Sequence, residues 1–171
     1  MANTYVAIQT VTVTSGGSAT IAFTSIPATY TDLVLLCSLR NATASTAQSG
    51  WVKFNSTSAN NSHRYFGSDG TASGSANDPA ATRIYIGQVN GANSTANVFA
   101  NVSIYIPNYA SANYKSVFID GVQETNATTA YATLSAGLWS DTAAITSISL
   151  ETTSGDYTQY STATLYGIKS S

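Results

Sequence analysis

The run VFANVSIYI, residues 98–106, decides how this chain reads. Apolar side chains fall on every second position until Pro107-Asn108 ends the pattern. A period of two sends one face of a strand to a core and the other outward. The same period recurs on either side. YVAIQTVTVT (residues 5–14) stops at Ser15-Gly16-Gly17-Ser18 and resumes over 19–24, which reads as a hairpin across a Gly-Gly pair. Residues 115–124, 129–139, 145–151 and 162–168 alternate in turn, and 51–55, 63–66 and 83–88 are shorter strand candidates. DLVLLCSLR (32–40) is the most continuously apolar run and is expected to form a central strand buried on both faces. Residues 41–50 read as a loop, and GSDGTASGSANDPAA (67–81) reads as a long exposed loop. No long window supports an amphipathic helix, and no fixed-period repeat appears. The expectation is an all-β chain, one domain over 1–171: a jelly-roll-like β-sandwich of about 8–11 antiparallel strands.

Charge is the unusual compositional feature. Asp, Glu, Lys and Arg make up 8% of the 171 residues, against roughly a quarter in an ordinary domain. Ser, Thr, Asn and Ala take their place, so neutral hydroxyls and amides must wet the surface. Ordinary β-proteins guard their edge strands with charge. A chain without that guard is expected to have its edges covered by neighbours in an assembly, as a structural or adhesive part and not as an enzyme. The six cations, Arg40, Lys53, Arg64, Arg83, Lys115 and Lys169, are scattered singly, which argues against nucleic acid and against a basic membrane-surface patch. The first ten residues have neither the basic start nor the apolar core of a signal peptide. The Asn-x-Ser/Thr triplets are therefore expected to stay unmodified.

Little in the chain points to reaction chemistry. Cys37, the one cysteine, lies in an apolar run and reads as a small buried hydrophobe. His63, the one histidine, reads as an exposed loop residue, and no Gly-x-Ser-x-Gly elbow accompanies it. One Cys and one His cannot complete a zinc shell. Asp69-Gly70, Asp78 and Asp156 offer hard oxygens, but none fits the calcium-loop pattern, and Asp before Gly commonly forms turns. Asp120 and Glu124 would share one strand face about 13 Å apart, too far for a glycosidase pair. No catalytic residue, metal site or cofactor is assigned.

The aromatic residues are the better lead, because Tyr and Trp give large contact area at low entropic cost. Interface candidates are Trp51, Tyr109, Tyr114, Trp139, Tyr157 and Tyr160. Tyr is also a good strand former, so each Tyr, including Tyr65, Tyr85, Tyr105 and Tyr166, reads first as a residue lining the sheets. The segment 2–13, with Ala2, Asn3, Thr4, Tyr5 and Val6 at its start, is a candidate arm for strand addition or simply the first strand.

SIPATYTDLVLLCSLR (25–40), WVKFN (51–55), RIYIGQV (83–89), VSIYIPNY (102–109), KSVFIDGVQETN (115–126) and TTAYATLSAGLW (128–139) together resemble a group of tailed-phage virion proteins. That group is common in phages of cyanobacteria and other aquatic bacteria. The resemblance implies a β-sandwich in a virus particle, either a small capsid decoration (cement) protein or a module of a tail fibre. It carries no catalytic motif. With strands at both ends of the chain, the expectation is a decoration protein on the capsid exterior. It would bind the major capsid protein between subunits and associate with itself as a homotrimer, by analogy with decoration proteins. The alternative is a receptor-binding tail module that recognises host surface glycans by stacking on an exposed Trp51 or Trp139.

Overall fold

The computed structural model describes residues 4–126 and 129–169. Its first half holds β1 (Tyr5–Thr12), β2 (Thr20–Phe23), β3 (Asp32–Leu39), β4 (Ala47–Phe54), β5 (Asn61–Ser68) and β6 (Ser73–Ala81). The second half holds β7 (Ile84–Asn90), β8 (Ala100–Ile106), β9 (Lys115–Gln123), β10 (Tyr131–Trp139), β11 (Ile148–Thr152) and β12 (Thr162–Ile168). All strand pairs are antiparallel and form two sheets. The larger has the order β1-β12-β3-β8-β9-β10-β5-β6, and the smaller β2-β11-β4-β7. The fold is an all-β sandwich. No helix of the described residues is long and apolar enough to cross a membrane.

Alternation places the core. β8 buries Ala100, Val102, Ile104 and Ile106, while Asn101 and Tyr105 between them face out. The smaller sheet answers with Ile21, Phe23, Val52, Phe54, Ile148 and Leu150, all buried. The Phe54 and Trp139 rings meet across the layers at 5.9 Å. β7 is buried on both faces because its backbone lies directly on β9 and β10. Two inward glycines permit this approach. A Cβ on Gly121 would sit 2.9 Å from the Ile86 carbonyl oxygen, and one on Gly137 would sit 2.6 Å from Ile84 Cγ2.

The described residues form twelve strands in two sheets, close to the expected count, and bear out the expected all-β sandwich. Four expectations are corrected. Residues 67–81 are not a loop: β5 and β6 form a hairpin whose turn is held by the Asp69 carboxylate, which accepts from Thr71 N, Thr71 Oγ1 and Ala72 N. Of residues 41–50, expected as a loop, 47–50 instead open β4, with Gly50 packed where a Cβ would lie 2.9 Å from Ile86 Cγ1. The Gly16-Gly17 link is not a hairpin either. Both glycines have positive φ and swing the chain from β1, paired with β12, to β2 in the other sheet, paired with β11. Finally, β3 is fully covered on one face only: Leu33, Leu35, Cys37 and Leu39 are buried there, and on the other face Val34 is buried while Leu36 is 46% exposed.

Candidate functional site

The outer face of the larger sheet is the most unusual surface of the molecule. Strand register aligns two transverse rows across it. One runs Tyr166, Val34, Tyr105, Phe118, Ala136, Arg64, and the next runs Thr164, Leu36, Ser103, Asp120, Leu134, Phe66. Phe66, Phe118, Leu134 and Leu36 are each about half exposed or more, at 58, 51, 49 and 46%. Val122 and Leu138 extend the apolar area on β9 and β10. Asp120 and Arg64 are the charged members of the two rows. At one end the Tyr105 hydroxyl donates to Asp32 Oδ2 (2.8 Å), and that contact pushes the phenol pKa up. Exposed apolar side chains gathered on one face in this way make it the candidate interaction surface of the molecule.

A second feature lies where β5 and β6 overhang the edge of the smaller sheet. There Trp51, Tyr85, His63 and Tyr65 form a continuous ring cluster, with centroids 5.3 Å apart for Trp51–Tyr85 and 4.6 Å for Tyr65–Tyr85. Trp51 is half-buried and fixed. Its Nε1 donates to Thr153 Oγ1, and the Arg83 guanidinium stacks 4.5 Å from its centroid. Arg83 and Lys53 both pair with Glu151. The cluster opens into a cleft of about 330 Å³ between Tyr65, Tyr85, Gln88, Tyr131 and Thr133 on one side and the β5–β6 turn on the other. Burial and the neighbouring Tyr65 raise the Tyr85 phenol to about 12, opposed by hydrogen bonds with Gln88 and Thr133.

His63 is corrected from an exposed loop residue to a buried one in β5, 5% exposed against Trp51 and Tyr85. Burial lowers its pKa, opposed by Asp78 and by the Arg83 backbone. Cys37 is buried, and burial pushes its thiol pKa up. Among the described residues no group of three or more His, Cys, Asp or Glu gathers to hold a metal. Asp69 spends its carboxylate on its own turn and is held down at about 2. Glu124 Oε1 likewise accepts from Thr125 N and Asn126 N.

Three interface candidates are corrected to core residues. Trp139, Tyr109 and Tyr157 are fully buried and present no surface to a partner. Trp139 packs under Lys115, whose ammonium is itself buried and donates to the carbonyls of Ser111, Asp141 and Ala143. The Tyr109 hydroxyl donates to the Pro27 carbonyl and pins that turn to the core. Tyr114 and Tyr160 are exposed at 62 and 68%. Tyr5, also exposed, meets Tyr166 edge-on at the β1 edge; Thr4 is exposed and Val6 half-buried. Ala2 and Asn3 lie outside the described residues. The segment 5–12 is the edge strand β1, paired on one side with β12.

Phe66, Phe118, Leu134 and Leu36 were not singled out from the sequence, although a signal exists. In KSVFIDGVQ both phases of the alternation carry apolar residues, Val117 and Ile119 inward, Phe118 and Val122 outward. Comparison of the chain with protein-family models, with curated proteins and with solved structures finds no match.

Proposed function

We propose that the protein is a virion structural component: a capsid decoration protein that docks on the outer shell, between subunits of the major capsid protein, through the outer face of its larger sheet. One observation carries the reading. A twelve-strand sandwich has a core of its own, yet its interior strands β3, β9 and β10 keep apolar side chains on the uncovered face. Burying such a face gains roughly 25 cal/mol per Å² of apolar area. On a lattice the gain repeats at every copy, and linkage within a homotrimer multiplies it. The sequence resemblance supplies the class of partner, and the sheet face supplies the surface that would meet it.

Phe118→Asp and Leu134→Lys each place a charge in the middle of this face without entering the core. Particles stripped of the protein and incubated with it should regain many copies per shell, measured by quantitative mass spectrometry. Either variant should bind at least about a hundredfold more weakly, since an unpaired charge would be desolvated. A handful of copies per particle, or undiminished binding by both variants, overturns the proposal.

A further inference from the structure

We infer that the cleft between the β5–β6 hairpin and β7 is a binding site for a neutral saccharide, separate from the docking face. Tyr65, Tyr85 and Tyr131 give it aromatic walls, while Gln88 and Thr133 add an amide and a hydroxyl. Its volume of about 330 Å³ falls at the lower end of the range for small-ligand clefts. The charge pattern selects the ligand class. Among the described residues no Lys, Arg or His lines the cleft, so a phosphate, sulfate or carboxylate would find no counter-ion there. Asp69, the one charged lining residue, already accepts three hydrogen bonds from its own turn. A ligand suited to this wall is uncharged, has a flat C–H face to lie on tyrosine, and carries hydroxyls around its rim. A hexopyranose unit of a neutral glycan has all three properties.

The wall is also preorganised. The Tyr85 ring is clamped between Trp51 and Tyr65, and its hydroxyl is engaged by Gln88 and Thr133. Behind these rings His63 is 5% exposed, with Nδ1 lacking a hydrogen-bond partner among the described residues. Gly67 brings the hairpin close, since a Cβ there would lie 2.9 Å from the Ala132 carbonyl oxygen. Ordering this wall in advance cuts the entropic cost of binding. Trp51, expected from the sequence as the stacking platform, instead buttresses Tyr85.

The test is binding of the purified chain to a panel of neutral oligosaccharides containing glucose, galactose, mannose or N-acetylhexosamine, followed by calorimetry and by chemical-shift perturbation. At least one should bind saturably, and its sulfated or sialylated counterpart should bind no better. Tyr131→Ala should weaken binding about tenfold or more. Gln88→Glu, which keeps the side-chain shape and adds only charge, should weaken it as well, with the melting temperature of each variant recorded as a check on folding. Phe118→Asp should leave saccharide binding unchanged, because Phe118 does not line the cleft; loss of particle docking with sugar binding intact separates the two surfaces. No saturable binding at about 10 mM of any neutral sugar, a preference for charged glycans, or affinity unmoved by both cleft variants overturns the inference.

Discussion

His63 shows at the scale of one residue how burial sets charge. Its ring packs among Trp51, Tyr65 and Tyr85, which favours neutral imidazole and lowers the pKa from the usual 6.5. The unfolded chain therefore takes up a proton more readily than the folded one as pH falls below 6.5. Stability is full above that value, declines through the window down to the lowered folded pKa, and levels off beneath it. His63 is the single histidine in the chain, so no other side chain titrates ordinarily between about pH 5 and 7. Melting temperature should accordingly fall from about pH 7 to pH 5.5 in the native protein, and His63→Phe should flatten that dependence. An equal slope in the variant would assign the effect elsewhere. The scarce cations are spent in the same local manner. Arg40 donates to the carbonyls of Ala92, Ser94, Thr95 and Val98, which ties down the turn before β8.

At the scale of elements, the packing of β7 onto β9 and β10 fixes both the core and the cleft, and it hangs on missing Cβ atoms. Gly121→Ala would drive a methyl against the Ile86 carbonyl oxygen, a backbone atom that moves only if β7 moves. The expected cost is about 1–3 kcal/mol, read as a fall of several degrees in melting temperature. Gly74→Ala, where nothing lies within 4 Å, should change stability by less than about 0.5 kcal/mol. Equal effects of the two substitutions would refute this account of β7. The same scale shows what the sequence could reveal. Strands with one buried face, such as β8, β9 and β12, declare themselves by alternation. β6 does not, because all but its last residue is exposed and neither face needs apolar side chains. Its small polar residues look like a loop, and only pairing with β5 makes it a strand. The Gly-Gly link misleads for another reason. A hairpin and a switch between sheets share one local signature, and the choice is made by β12, about 150 residues further along. The cleft is similarly composite: Tyr65, Tyr85 and Tyr131 come from three strands, and no local pattern joins them.

For the whole molecule, the balance of forces at the outer face makes a prediction that an ion-paired interface would not share. Of the twelve positions in the two transverse rows, Asp120 and Arg64 alone carry charge. The proposed docking through this face would therefore rest on burial of Phe66, Phe118, Leu134 and Leu36. Salt at about 1 M shrinks the Debye length to about 3 Å and removes most of the attraction between exposed charges. It does not weaken apolar burial, and salts excluded from protein surfaces strengthen it. Particles carrying the protein should keep their full complement through dialysis from about 0.1 M to about 1 M NaCl, as measured by band intensity against the major capsid protein after sedimentation. Urea, which solvates apolar and peptide groups, should release it before the sandwich itself unfolds, because the core is far more extensively buried than the docking face. Release in moderate salt would mean that charges outside these rows hold the protein in place, and the outer sheet face would lose its role.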